Sequence, residues 1–259
     1  MVNLKKYNGF LKLFVIFLTF FFIISCSNQI VHVTRIEGKQ IPITEKENQI
    51  PEIENFIKPY RKHINKDLDS ILAYCPETLD KKAVNWQSTI GNLMSDVTLK
   101  RGNTVFKARE NKTIDICILN YGGIRSILPK GNVTTRTAFE IMPFENNLVI
   151  IALKGEQILE IVTYFIKEKK PHPLTGLTFT IDNKNQPKNI LVQGKTIDKD
   201  KTYYVATNDY LSNGGDNMVF FKKGTATYDL NYKLRNVLID YFKETDTIKS
   251  IHDYRIIVE

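Results

Sequence analysis

The protein has 259 residues, of which 42% are hydrophobic and 25% are charged, and its formal net charge is +8. This composition is ordinary for a globular protein, and the length suffices for a sizeable core in one or two domains. The excess positive charge is spread along the chain, which is compatible with an anionic substrate but argues against nucleic acid as a partner.

The first 25 residues have the pattern of a signal peptide. Lys5, Lys6 and Lys12 accompany a run of uncharged, nearly all apolar residues from Leu13 to Ile24. This run has the length of a signal-peptide core and is short for a transmembrane helix, which needs roughly 20 residues. We therefore assign residues 1–25 to a leader and begin the fold analysis after it.

The leader ends in Ile23-Ile24-Ser25-Cys26, which resembles the lipobox of bacterial lipoproteins, where the cysteine becomes the acylated N-terminus. This pattern predicts lipidation of Cys26 and a lipid-anchored protein of the bacterial cell envelope that faces the periplasm or the exterior. The alternative is an uncleaved signal anchor in which Cys26 is incidental. Residues 26–50 are polar and without a period, which predicts a flexible tether to a domain at 51–259.

The domain opens with helix and strand patterns. Apolar residues recur at helical spacing from Ile53 to Leu68, which predicts a helix that starts or kinks at Pro59. A strand at 70–75 follows, and then a helix that begins near Ser88.

The rest of the chain alternates between strand-like runs and amphipathic segments. The predicted strands lie at 114–119, 147–153, 177–181, 188–193, 202–207 and 254–258, and the predicted helices at 156–167 and from Leu230 to Tyr241. Helices and strands mix without a strict βαβ rhythm. The prediction is a single α+β domain with a mixed sheet and flanking helices.

Two cysteines remain after the leader, Cys75 and Cys117, and both lie in apolar, strand-like runs. This setting is typical of buried free thiols. A disulfide between them stays open, because an exported protein can form one and spacing alone does not decide it.

A turn with distinctive chemistry follows the apolar run 116–119. The sequence Asn120-Tyr121-Gly122-Gly123-Ile124-Arg125 puts two adjacent glycines at a strand end. Glycine lets the backbone approach a ligand closely, and Arg125 offers planar donors suited to carboxylate or phosphate. The turn is a candidate for anion binding.

Four segments, in family order, resemble the C-terminal domain of 5'-nucleotidases and UDP-sugar hydrolases. They are Asn120–Arg125 (Asn-x-Gly-Gly-Ile-Arg in the family), Met142–Asn147 (Leu-Pro-Phe-Gly-Asn), Leu174–Phe179 (Ser-Gly-Leu-x-Phe) and Thr207–Asp216 (Asn-Phe-Leu-x-x-Gly-Gly-Asp). One such segment would be weak evidence, whereas four in order are specific. The resemblance covers roughly residues 50–259 and implies the substrate-binding domain of that family.

The resemblance implies a nucleotide site. Its substrate-binding residues would be Asn120, Gly122, Gly123, Arg125, Phe144, Asn146, Gly176, Tyr210 and Asp216. Phe144 and Tyr210 would sandwich the base, each ring contributing roughly 1–3 kcal/mol; Tyr210 replaces the more usual phenylalanine. Asp216 would accept the ribose hydroxyls, and Arg125 would bind phosphate. Core packing is the alternative for each ring, and a plain turn is the alternative for Asp216.

Family enzymes cleave phosphate with a separate N-terminal metallophosphatase domain, whose two metal ions need clustered Asp and His ligands. The four histidines of this chain are outside such motifs and are expected to be surface or loop residues: His32, His63, His172 and His252. We therefore expect neither catalytic residues nor a metal or other cofactor in this chain. Divalent metals are expected in a partner metallophosphatase.

Two positions depart from the family pattern. Family members often carry a basic residue before the helix that begins near Ser88, where this chain offers only Lys81 or Lys82 as a substitute. Glu145 stands where the family usually has glycine, which would add negative charge near the pocket.

Three functions are consistent with these patterns. The first is the nucleotide-recognition half of a 5'-nucleotidase that acts with a separate metallophosphatase chain on nucleotide phosphomonoesters or UDP-sugars. The second is a non-catalytic lipoprotein that binds nucleotides or nucleosides. The third is a remnant domain with a structural role.

Overall fold

A computed structural model of the protein describes residues 7–23, 33, 35–44, 50–249, 251 and 253–259. The chain divides into two compact units, one up to Pro51 and one from Glu52 to Glu259. In the first unit the described residues comprise a helix, α1 (Tyr7–Ile23), residues without regular structure, and Pro51, where the next helix begins. Within the described residues, every helix falls short of the length and apolar character needed to span a bilayer. Cys26 lies outside the described residues, so its lipidation stays a prediction.

The second unit contains six further helices and eleven strands among the described residues. The helices are α2 (Pro51–Leu68), α3 (Thr89–Glu110), α4 (Thr135–Ile141), α5 (Gly155–Glu168), α6 (Asp209–Ser212) and α7 (Leu234–Glu244). The strands are β1 (Ile71–Cys75), β2 (Ile116–Ile118), β3 (Gly131–Thr134), β4 (Asn147–Lys154), β5 (Leu174–Thr175), β6 (Leu177–Ile181), β7 (Pro187–Val192), β8 (Lys195–Thr196), β9 (Thr202–Asn208), β10 (Ala226–Lys233) and β11 (Ile256–Val258).

A mixed five-stranded sheet forms the centre of this unit, with strand order β10-β4-β9-β2-β5. Strands β4 and β9 pair antiparallel from Leu148 opposite Asn208 to Lys154 opposite Thr202. Strand β2 runs parallel to β9. The predicted α+β class is confirmed, because helices and a mixed sheet share one unit without a βαβ repeat.

Strand β4, inside the central sheet, is buried on both faces. Its even-numbered residues Leu148 and Ile150 join a core with α3 and α7. Its odd-numbered residues, such as Val149 and Ile151, join a second core with α5. Because side chains alternate along a strand, a strand covered on both faces needs a continuous apolar run. This explains why residues 148–153 are apolar without interruption.

Smaller sheets complete the unit. Strands β11, β6, β7 and β8 form a four-stranded sheet in that order, in which β11 runs parallel to β6. Strands β1 and β3 pair antiparallel.

The predicted final helix is wrong at its start. Leu230 lies in β10, and helix α7 begins only at Leu234. Leu230 and Leu234 have helical spacing, but residues 226–229 pair with β4 as an edge strand of the central sheet. Tertiary pairing therefore overrides the local periodicity.

The predicted helix at 53–68 is present as α2, but it begins at Pro51 and continues through Pro59, so the predicted start at Pro59 is wrong. In the structure as described, α2 has no buried residue. Its apolar side chains Ile53, Phe56, Tyr60 and Ile64 are between 54% and 69% exposed. The helical pattern is correct, but it does not mark a core-facing helix.

Both remaining cysteines are buried free thiols, as predicted. Burial raises the pKa of Cys75 and, more strongly, that of Cys117. Neither thiol is therefore poised for reaction as a thiolate.

Candidate functional site

A cleft opens at one end of the central sheet. Because β2 is parallel and β4 antiparallel to β9, the ends of β2 and β9 and the start of β4 meet there. The cleft has a volume of about 350 Å³, within the range of about 300–1,000 Å³ that is typical of small-molecule sites. Its lining residues are Asn120, Gly122, Gly123, Arg125, Phe144, Asn146, Tyr210 and Asp216.

The structure thus brings together eight of the nine residues that the sequence singled out as a site. The ninth, Gly176, lies between β5 and β6 and is outside this lining. It has a positive φ of 79°, and an added Cβ would lie 2.1 Å from the carbonyl oxygen of Asp115. Close backbone packing accounts for this glycine.

The glycine turn forms the first wall of the cleft. After β2 the chain enters a 3₁₀ turn, Tyr121–Gly123, whose Gly123 N–H donates to the Asn120 carbonyl oxygen at 3.0 Å. A Cβ on Gly123 would lie 2.8 Å from Asn120 Oδ1. Glycine at 123 is therefore required for the Asn120 side chain to fold over the turn.

Two half-exposed aromatic rings belong to the cleft. Phe144 follows α4 and is 42% exposed, while Tyr210 is in the first turn of α6 and is 48% exposed. This exposure does not fit the core-packing alternative. The rings are available to a flat ligand.

Asp209 connects the two segments that carry these rings. Its carboxylate accepts hydrogen bonds from Asn146 Nδ2 at 2.6 Å and from the backbone N–H groups of Asn147 and Tyr210 at 3.1 and 2.8 Å. Sequence reasoning did not assign this role to Asp209. Its place directly after an apolar strand and before Tyr210 was the available signal.

The carboxylate of Asp216 is held by two cleft residues. Oδ1 accepts from the Tyr210 hydroxyl at 2.9 Å, and Oδ2 accepts from Asn120 Nδ2 at 2.8 Å. Asp216 has left-handed backbone angles, φ 51° and ψ 29°. A Cβ on the preceding Gly215 would lie 2.5 Å from the Tyr210 ring. The Gly-Asp sequence therefore lets the ring lie against the chain while the carboxylate reaches its hydroxyl.

One cation, Arg125, lines the cleft, and a second, Lys81, lies beside it. Arg125 Nη1 lies 3.4 Å from the Gly122 carbonyl oxygen, and its guanidinium carbon is 5.9 Å from the centre of the Phe144 ring. Lys81 Nζ donates to the Ile124 carbonyl oxygen at 2.8 Å. Burial lowers the pKa of Lys81, and the positive charge of Arg125 lowers it further. Of the two predicted substitutes, Lys81 is the one beside Arg125.

The negative charge of Glu145 is balanced by a neighbouring arginine. It forms an ion pair with Arg235, which holds the pKa of Glu145 below its ordinary value. Because Arg235 neutralises this carboxylate, the expected excess of negative charge near the pocket does not arise.

The expectation of a surface or loop residue is correct for the loop position of His172 and wrong for its exposure. This residue lies in the loop between α5 and β5, as the flanking prolines suggest, but it is only 4% exposed. Its ring packs against Tyr164 and Phe165, with 5.6 Å between ring centres in each pair. Burial lowers the pKa of His172 to about 4. The contact with α5 is tertiary and left no local sequence signal.

Of the other three histidines, one is described by the structure. His63 is an exposed residue of α2, 3.5 Å from Asp67, whereas His32 and His252 lie outside the described residues. In the described part of the chain, no group of three or more His, Cys, Asp or Glu residues could hold a metal ion.

Comparison with known families and proteins points in one direction. The family model "5'-nucleotidase, C-terminal domain" matches residues 75–223. The chain is 27% identical over 228 residues to the Trifunctional nucleotide phosphoesterase protein YfkN of Bacillus subtilis (strain 168), covering 82% of this chain and 15% of that protein. It is 24% identical over 168 residues to a 5'-nucleotidase of Vibrio vulnificus (strain CMCP6), covering 62% of this chain and 28% of that protein.

Solved structures of 5'-nucleotidases contain the same fold as this chain. A 5'-nucleotidase precursor from Thermus thermophilus superposes with a TM-score of 0.66 at 25% identity, over 79% of this chain and 42% of that one. A putative 5'-nucleotidase from Staphylococcus aureus shares the fold, with a TM-score of 0.62 at 18% identity over 86% of this chain and 46% of that one. The chain therefore spans less than half the length of these relatives.

Proposed function

The chain belongs to the family of 5'-nucleotidase C-terminal domains, and on that premise we propose that its cleft binds a nucleotide for hydrolysis by a metallophosphatase on a separate chain. The substrate class is a nucleotide phosphomonoester or a UDP-sugar, and the process is nucleotide breakdown. Nucleotide recognition is the contribution of this chain.

One observation carries the proposal: the cleft lining combines exposed aromatic rings, a carboxylate and the Arg125 guanidinium, and Lys81 lies beside that arginine. Phe144 and Tyr210 offer flat apolar surfaces to a base. Asp216 offers acceptor oxygens to ribose hydroxyls. Arg125 lines the cleft with Lys81 beside it, and an anionic phosphate on Arg125 would relieve the repulsion between the two cations.

The partner supplies the chemistry in this proposal. The names of the relatives describe nucleotide phosphoesterases and nucleotidases, and this chain matches only part of each. Divalent metals on the partner would activate water and stabilise the charge that develops on the phosphate. The lipid anchor at Cys26 would keep the module at the cell envelope, beside a membrane.

Calorimetry of the purified protein with adenosine and AMP tests the recognition step. We expect binding of both, with AMP bound more tightly, because only AMP offers a phosphate to Arg125. Arg125→Ala should weaken AMP binding and leave adenosine binding unchanged. Arg61→Ala, on the exposed helix α2, is the matched control and should behave as wild type. Equal loss of both ligands in Arg125→Ala would contradict the phosphate assignment.

Hydrolysis assays test the division of labour. The protein alone should not hydrolyse AMP or UDP-sugars in Mn²⁺, Mg²⁺ or Zn²⁺. When a tagged form of the protein is purified from its own cells together with its bound partners, the complex should hydrolyse these substrates, and a metal chelator should abolish the activity. Turnover by the verified single chain would exclude a separate catalytic chain, and nucleotide binding without any captured activity would favour a non-catalytic binding lipoprotein.

A further inference from the structure

His172 occupies a buried position directly beneath the glycine turn of the cleft. The backbone on each side is fixed, because the His172 N–H donates to the Lys170 carbonyl oxygen at 2.8 Å and the Pro173 carbonyl oxygen accepts from the Leu119 N–H at 3.0 Å. The imidazole is thereby placed between the ring of Tyr164 and the start of the turn.

One hydrogen bond joins this imidazole to the turn. The backbone N–H of Tyr121, the first residue of the 3₁₀ turn, donates to His172 Nδ1 at 3.1 Å. The first N–H groups of a helical turn need an acceptor from outside the turn. The Asn120 side chain precedes the turn but makes no capping hydrogen bond, and its Nδ2 donates to Asp216. His172 therefore satisfies a donor at the point where the turn begins.

The hydrogen bond fixes the protonation state of the ring. A nitrogen that accepts a hydrogen bond carries no proton, so the proton of the neutral ring resides on Nε2. Nε2 is buried and has no hydrogen-bond partner among the residues that the structure describes. An apolar side chain would fill this space without an unpartnered donor, so the acceptor nitrogen distinguishes histidine here.

Tyr164, which packs against His172, also contacts the Asp216 segment of the cleft. The Tyr164 hydroxyl donates to the backbone carbonyl oxygen of Asp216 at 2.8 Å, and the Tyr164 ring packs against His172. The imidazole thus supports the glycine turn directly and the Asp216 segment through one intervening ring.

We propose that His172 is a positioning residue: its neutral Nδ1 holds the Tyr121–Gly123 turn in the conformation that receives the phosphate end of the ligand. The ligand part of this inference rests on the proposed function. The positioning of the turn does not, and the two can be tested apart.

Hydrogen exchange tests the positioning without any ligand. His172→Leu and His172→Asn have side chains of similar shape, but only asparagine keeps an acceptor. Exchange at Tyr121–Gly123 should accelerate about tenfold or more in His172→Leu, and stay near wild type in His172→Asn and in the control His63→Leu. Unchanged protection of the turn in a folded His172→Leu protein would overturn the proposal.

Nitrogen-15 NMR of the wild-type imidazole at pH 7 provides a test that needs no variant. The expected species is the neutral ring with its proton on Nε2. A proton on Nδ1, or a charged ring, would overturn the proposal.

Ligand affinity connects the turn to the phosphate. His172→Leu should lower the ratio of AMP to adenosine affinity about tenfold, and His172→Asn should restore it. An unchanged ratio in a His172→Leu protein with a loosened turn would overturn the phosphate part. Wild-type protein that binds neither ligand would overturn the proposed function instead, while exchange and NMR would still decide the positioning.

Discussion

Tyr210 contributes two separate groups to the cleft, a ring and a hydroxyl. The ring is half exposed, and the hydroxyl donates to Asp216 while it also accepts from the Asp216 N–H at 3.2 Å. A phenylalanine would keep the ring and lose both bonds. This residue therefore allows stacking to be separated from the placement of the carboxylate.

Two substitutions at Tyr210 should differ in effect. Tyr210→Ala should weaken adenosine binding by roughly 1–3 kcal/mol, because the stacking surface is removed. That corresponds to about five- to a hundredfold in affinity. Tyr210→Phe should keep stacking and reduce only the preference for ribose over 2'-deoxyribose. Calorimetry with adenosine and 2'-deoxyadenosine measures both effects, and equal binding by wild type and a folded Tyr210→Ala protein would exclude the sandwich.

The pH dependence of the free energy of unfolding should reveal the lowered pKa of His172. The unfolded chain protonates this residue as the pH falls through about 6.5, whereas the folded protein resists protonation until the pH reaches about 4. Between these values the unfolded state binds more protons, so the free energy of unfolding falls as the pH is lowered, by roughly 3 kcal/mol in total. The charged groups that face the ring are Glu168 of α5, Lys170 beyond it and Asp216 of the cleft. Asp216 and Glu168 oppose the effect of burial on the pKa.

Denaturant titrations between pH 4 and pH 7 check this expectation. His172→Asn should lose most of the dependence on pH in this window, and His63→Leu should keep it. A wild-type protein whose unfolding free energy is flat between pH 4 and pH 6.5 would contradict the buried neutral imidazole.

Helices α2 and α7 show that an apolar stripe does not by itself define burial. In α7 the stripe enters the core through Leu234, Val237, Leu238 and Phe242. In α2 the stripe remains exposed, although Arg136 reaches the end of the helix through Asn65 and Asp69. The same sequence period therefore serves a core helix and a surface helix.

A matched pair of substitutions should separate these two helices. Phe242→Ala should lower the free energy of unfolding by about 3–5 kcal/mol, because it leaves a cavity in the core. Phe56→Ala should change it by less than about 0.5 kcal/mol, because Phe56 is 69% exposed. Chemical denaturation measures both. A large loss in Phe56→Ala would mean that α2 packs against another surface in solution.

For the molecule as a whole, the sequence predicted the fold class and the cleft far better than the packing between elements. Asn120, Phe144 and Tyr210 were identifiable as site residues because each lies in a segment that resembles a motif of the family. The strand that contains Leu230 and the burial of His172 were missed, because both depend on contacts with distant segments. Local spacing carries information on the chain itself and little on which neighbour will cover it.

The anchor is a property of the whole chain and is tested in cells. Cys26→Ser should prevent processing at the predicted lipobox, so the variant should retain its leader and the wild type should carry acyl chains at Cys26. Mass spectrometry of the membrane fraction distinguishes the two. Cleavage and release of Cys26→Ser in the same way as wild type would contradict the lipoprotein prediction.

Strand β4 belongs to both hydrophobic cores, and this has a consequence for how the second unit unfolds. Loss of either core would expose one face of β4, so neither core can melt while the other keeps its native stability. Unfolding of residues 52–259 should accordingly be cooperative. The cleft begins one residue before β4, at Asn146, so the binding energy of a ligand there would be distributed over the complete unit and would raise a single melting temperature.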